Sequence, residues 1–134
     1  MTLHPCWLAE RNAPAPRERY ELVFSNSLLH HLREPLVLWR CVARWAPPGS
    51  AVFVMDLLRP ASRFAAQRLV KAYTAGEPEV LRRDFFNSLL AAYRVNEVQA
   101  QIVAAGLAQL DVQAVSDRHL IVWGYRPSTP GRLP

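Results

Sequence analysis

The chain has 134 residues, 51% of them hydrophobic, which fits one domain with a modest core and excludes a disordered polymer. No apolar run approaches the ~20 residues of a membrane span, and the N-terminus lacks the charged-then-apolar order of a secretion signal, so the reading is a cytoplasmic protein with no membrane partner. The net charge of +5 rests on scattered arginines, fifteen of the sixteen basic residues, Lys71 being the exception; without a basic stripe and interleaved aromatics, nucleic acid is not an expected partner.

In chain order, residues 1–19 read as irregular because Pro5, Pro14 and Pro16 deny a helix or a central strand. Cys6 lies there, and neither it nor Cys41 has metal-ligand or CxxC spacing, so no metal site is expected. Glu21–Ser25 and Ala51–Met55 are short and apolar on both faces, which suits strands of a parallel sheet covered by helices on both sides. Between them, Glu34 to Trp45 has a helical stripe of Leu36, Trp39, Val42 and Ala43, with Pro35 fit for the first turn. Cys41 in this stretch reads as a buried thiol. Pro47-Pro48-Gly49 ends the helix, which gives one βαβ unit of right-handed crossover.

Three more helical patterns follow: Ala61–Tyr73 with stripe Ala65, Leu69, Ala72 and Tyr73; Glu79–Tyr93 with Leu81, Phe85, Leu89 and Ala92; and a third capped by Asn96 with Gln99. The stripe of the third is Val98, Ile102 and Ala105, and Gly106 is placed to end it. Leu110–Val115 alternates like an edge strand, whereas Leu120–Trp123 is apolar on both faces. A hairpin whose second strand is the more apolar places that strand inside. The expected order is 20–25, 51–57, 119–125, 109–115, with only the last strand running antiparallel. Residues 126–134, with Pro127, Pro130, Gly131 and Pro134, read as a tail.

These segments resemble the class I S-adenosylmethionine-dependent methyltransferases. Tyr20 to Leu32 (YELVFSNSLLHHL) resembles that family's D-L-V-x-S-N-x-x-L-H-H-L segment at the fourth strand. Trp45 to Asp56 resembles its L-x-P-G-G-x-x-x-x-x-D passage into the fifth, and Asn96 to Leu107 the E-x-x-x-x-L-x-x-A-G-F helix before the final hairpin. The matches run in order over about residues 20–125. The resemblance implies an α/β fold, a partial Rossmann-like methyltransferase sheet of strands four to seven with flanking helices and a C-terminal antiparallel hairpin. It further implies transfer of a methyl group to a small-molecule acceptor. The family's glycine-rich cofactor turn and the acidic residue that holds the ribose have no counterpart, because Gly49, Gly76, Gly106, Gly124 and Gly131 are not spaced for them. S-adenosylmethionine is therefore the cofactor implied for a complete domain, and this chain alone is expected to bind it weakly or not at all.

Ligands of open α/β sheets sit at the carboxyl ends of the parallel strands. Carried over, the resemblance points to Ser25, Asn26 and Ser27 at the cofactor and to His30 and His31 as candidate catalytic bases. Adjacent in sequence, the two histidines should point apart, so one at most serves. Asn26 and Ser27 have the competing reading of helix caps. Asp56 and Arg59 read either as a substrate anchor or as a turn with its own ion pair. Asp84, Asn87 and Ser88 lie on neighbouring turns of one helix and, with Tyr93, read as a wall selecting a polar substrate or as a solvated face. A bare strand at 20–25 is a template for association, so a homodimer or a complementing first-half chain is an expected partner. A non-catalytic remnant acting as a binding or dimerisation module is the alternative.

Overall fold

The computed structural model describes residues 20–127, so the expectations for 1–19 and for the tail beyond Pro127 lie outside the described residues. Four strands and four α-helices are laid out as β1 (Leu22–Asn26), α1 (Leu36–Trp45), β2 (Ala51–Leu57), α2 (Arg63–Tyr73), α3 (Glu79–Ala91), α4 (Val95–Ala104), β3 (Asp111–Ala114) and β4 (His119–Tyr125), with a 3-10 turn at Leu29–His31. The sheet order is β1-β2-β4-β3. β1 and β2 are parallel, and β4 is antiparallel to both of its neighbours, β2 and β3. The expected order therefore holds, but the expected direction is corrected: the reversed strand is β4, inside the sheet. The outer strand β3, expected to run antiparallel, runs in the same direction as β1 and β2 because the β3–β4 hairpin turns the chain back only once.

Hydrophobic alternation decides which side of the sheet is core. Val52, Val54, Leu120 and Val122 are buried and pack with Leu38, Trp39 and Val42 of α1 and with Val98 and Ile102 of α4. Trp39 is fully buried, and its indole N–H donates to Gln101 Oε1 at 2.9 Å, which ties α1 to α4. Cys41, on the other side of α1, is only half-buried. The opposite face of the sheet departs from the expectation of two helical layers. Leu22, Phe24, Phe53, Trp123 and Tyr125 are exposed there, because α1 and α4 both pack on one side and α2 and α3 build a separate cluster.

That second cluster centres on Ala66, Val70 and Leu89, with Leu57, Leu69 and Phe85 against it. The buried stripe of α2 is thus rotated from the one read in the sequence. Tyr73 is drawn outward, where its hydroxyl donates to Asp117 at 2.8 Å and the Arg118 guanidinium stacks on its ring at 3.6 Å. In α3, Leu81 is exposed while Leu89 and Ala92 are buried, so only the C-terminal half of its stripe serves as core. α4 starts earlier than Asn96: Arg94 is its N-cap, and the Glu97 carboxylate accepts from the Arg94 N–H at 3.3 Å. It ends as expected. Gly106 takes φ +76°, and Leu107 N–H returns to Ile102 O at 2.7 Å, which closes the helix and buries Leu107. Gly124 in β4 admits close approach, since a Cβ there would meet Leu110 Cδ2 at 3.1 Å.

Trp39 fills the seam between α1, α4 and the sheet, so Trp39→Ala should cost about 3–5 kcal/mol of unfolding free energy. Urea denaturation followed by far-ultraviolet circular dichroism measures it; a loss under 1 kcal/mol would mean that the seam collapses without the indole.

Candidate active site

β1 and β2 end side by side, and one carboxylate organises the turns at their carboxyl ends. Asp56, the penultimate residue of β2, is 2% exposed. Its Oδ2 accepts from Leu29 N–H at 2.7 Å, and its Oδ1 accepts from Leu57 N–H at 2.8 Å and lies 2.6 Å from His30 Nδ1. An ionised carboxylate can only accept, so the geometry is that of a Nδ1–H donor, which leaves Nε2 as the basic nitrogen of the ring. A buried carboxylate with this set of donors is satisfied rather than stranded. Sequence alone gives no sign of the pairing, because the partners are 26 residues apart. Only the parallel register, which aligns the two strand ends, brings them together.

His30 is buried and His31 exposed, yet their ring centroids are 4.0 Å apart with a 39° tilt. The expectation that adjacent histidines diverge is corrected: the 3-10 turn stacks them, with one ring inward and the other on the rim. Upstream, Ser27 N–H donates to Met55 O at 3.0 Å and Ser27 adopts φ 55°, a left-handed conformation that is costly for a residue with a Cβ. Asn26 and Ser27 do not cap the turn. Leu28 stands at the cap position without a side-chain bond, and the Ser27 hydroxyl donates instead to Asn26 Oδ1 at 3.2 Å. Ser25 is half-buried and Asn26 exposed at the mouth of the strand.

The remaining candidates are distributed around this centre. Arg59 lies apart from Asp56 in its bonding: its guanidinium pairs with Glu97, a partner absent from the sequence-derived set, and its N–H donates to Tyr93 O at 3.1 Å. The Tyr93 hydroxyl donates to Leu32 O at 2.9 Å and braces the segment that carries the histidines. Burial, and after it the carboxylates of Glu97 and Glu34, raise the Tyr93 phenol above its ordinary value, so it remains a donor at neutral pH. Asp84 and Asn87 are exposed on α3 and Ser88 is half-buried. A cavity of about 280 Å³ between α2 and α3 is lined by Gln67, Val70, Glu79, Arg82, Arg83 and Phe86; none of the candidate residues lines it.

No family model and no curated protein matches the sequence. Solved structures do. An O-methyltransferase family protein from Burkholderia thailandensis matches with a TM-score of 0.56 at 18% identity over 84% of this chain and 32% of its own. The S-adenosylmethionine-dependent methyltransferase SibL in its apo form matches with TM-score 0.54 at 18% identity, over 92% of this chain and 35% of its own. Human N-acetylserotonin methyltransferase, in complex with S-adenosylmethionine, matches with TM-score 0.52 at 14% identity, over 85% and 31%. The described residues have part of a methyltransferase fold, and the chain spans about a third of the length of these structures.

The residues present do not by themselves fit the cofactor of such a fold. Among the described residues, no glycine follows the carboxyl end of β1 or β2: Gly49 precedes β2, Gly76 joins α2 to α3, Gly106 follows α4 and Gly124 lies inside β4. The outer edge of β1, beside Ser25–Ser27, is open, since β1 pairs with β2 alone among the described strands. The described residues supply one wall of a site.

If the Asp56–His30 pair is the organising contact, the two side chains must be coupled. A double-mutant cycle over Asp56→Ala and His30→Ala, read by urea unfolding of the chain, should return an interaction energy of about 1–3 kcal/mol. Additive single effects would show that the contact is incidental.

Proposed function

We propose that this chain is the acceptor side of an S-adenosylmethionine-dependent methyltransferase acting on a hydroxyl of a small molecule, with little or no activity by itself. The observation that carries the reading is the Asp56–His30 pair at the carboxyl ends of two parallel strands, inside a sheet shared with methyltransferase structures. In open α/β sheets this is where ligands lie. Asp56 fixes the imidazole through Nδ1, so Nε2 is the atom that would take the proton of an acceptor hydroxyl as it becomes a nucleophile. Positioning of that hydroxyl is the other contribution expected of the chain. Ser25, Asn26 and Ser27 would border the cofactor, and His31 the rim. Asp84, Asn87, Ser88 and Tyr93, with Arg59 behind, are the residues from which polar selectivity for the acceptor would come.

A second reading is favoured by one feature: the His30 side chain is only 6% exposed, as in a structural anchor. On that reading the pair merely holds the turn, and the chain is a non-catalytic binding module of methyltransferase ancestry.

Two measurements separate the readings. Calorimetric titration of the isolated chain with S-adenosylmethionine should give no saturable binding in the micromolar range; micromolar affinity would contradict the one-walled site. Once a cofactor-binding segment restores methyl transfer, His30→Gln should lower kcat by about 10²–10⁴-fold with cofactor affinity little changed, and His31→Gln should do far less. Unaltered turnover in His30→Gln sinks the base assignment and leaves the anchor.

A further inference from the structure

Ala66, Val70 and Leu89 are the buried centre between α2 and α3, with Leu69 and Phe85 against it. Toward the start of α3 the stripe that faces α2 changes character. Glu79, Arg82, Arg83 and Phe86 recur at i, i+3, i+4 and i+7, so they share one side of the helix. With Gln67 and Val70 of α2 they line the cavity of about 280 Å³. A core-facing stripe holds apolar residues at such positions. Here two of the four are arginines, set around an apolar floor of Val70 and the half-buried Phe86 ring.

The charges of this cavity are unbalanced. Arg82 and Arg83 outnumber Glu79, which leaves one net positive charge on the lining. Arg63, whose guanidinium lies over the Phe86 ring at 5.3 Å, adds another beside it. Arg82 Nη1 is 3.8 Å from Glu79 Oε2, past hydrogen-bond distance, and the Glu79 side chain is 85% exposed, so that ion pair contributes little. Arg82 Nε is shut off from solvent and has no hydrogen-bond partner among the described residues. Arg83 has no ion pair or hydrogen bond among them either. A guanidinium that is partly desolvated and unpaired gains from an anion laid against it.

We propose that the α2–α3 cavity is a binding site for a small aromatic carboxylate. Its carboxylate is received by the Arg82 and Arg83 guanidiniums, whose planar forks match two oxygens side by side. Its ring lies on Val70 and Phe86, apolar surface against apolar surface. Net charge selects a monoanion over a phosphate, which brings a second negative charge toward Glu79. Size selects a single ring: small-molecule sites usually enclose about 300–1,000 Å³, and this one stands at the lower limit. The site is separate from the one at the strand ends. Asp84, Asn87 and Ser88 stand on the other side of α3 by the same helical count, and neither Asp56 nor His30 lines the cavity. Binding there is therefore independent of methyl transfer by the Asp56–His30 pair.

The test titrates the full, nitrogen-15-labelled chain with benzoate and follows its amide signals by NMR. Saturable shifts are expected at the Gln67 side-chain amide and at the backbone amides of Arg82, Arg83 and Phe86, with a Kd in the millimolar range. Benzamide, the neutral analogue, and inorganic phosphate should each bind about tenfold more weakly or worse. Arg82→Gln and Arg83→Gln should each weaken benzoate by about tenfold. Glutamine is nearly as good a helix former as arginine, and circular dichroism verifies that both variants are folded. Glu79→Gln removes the opposing charge and should tighten binding about two- to threefold. Four results would overturn the proposal: shifts that are absent or do not saturate, benzamide or phosphate bound as well as benzoate, affinity indifferent to both arginine variants, or weaker binding in Glu79→Gln.

Discussion

The Asp56 carboxylate is the constraint on which the site depends. It sits where β2 gives out, buried, and takes hydrogen bonds from the turn that follows β1, from its own strand's exit and from an imidazole. A buried carboxylate is costly unless such donors surround it, so the turn must adopt the one geometry that supplies them. The histidine is therefore fixed by the same contact that joins the two strand ends. Tyr93 and Arg59, anchored to Leu32 and Glu97, hold that arrangement from the helical side.

The main core of the described residues lies on one face of the sheet. α1 and α4 are both recruited to the same face because their stripes, around Trp39 and around Ile102, meet Val52, Val54, Leu120 and Val122. The interior of that layer is complete. Phe53 and Trp123 on the other face belong to strands just as apolar, and they stay 41% and 42% exposed. Among the described residues, the α2–α3 cluster reaches that face only through Leu57 at the end of β2. The strand with the open edge is also the strand whose end carries the candidate cofactor residues.

Much of this is legible from residues alone, for reasons that can be named. The inside position of β4 follows from Leu120-Ile-Val-Trp123 being apolar on both faces while Asp111 and Gln113 mark β3 as the edge. The end of α4 follows from Gly106, the one residue there able to take a left-handed conformation without strain. Other features are hidden because they depend on contacts distant in sequence. The α2 stripe differs from its periodic reading because Tyr73 is held outward by Asp117 and Arg118, which no periodicity can announce. Asn96 looks like a better cap than Arg94, but the Glu97 carboxylate makes the earlier start favourable. Apolar runs on both faces speak for two covering layers and cannot say that, among the described residues, one face keeps Phe24 and Tyr125 exposed. His30 is visible as a candidate, whereas its partnership with Asp56 requires the register of two strands.

Central to this picture is that the chain, on its own, holds an imidazole in the orientation a base requires. Nitrogen-15 NMR of the His30 ring in the isolated chain tests it most directly. The expected result is a proton on Nδ1 that exchanges slowly with water, no proton on Nε2 in the neutral ring, and loss of both features in Asp56→Asn. A ring in rapid tautomeric exchange, or one protonated at Nε2 alone, would contradict it.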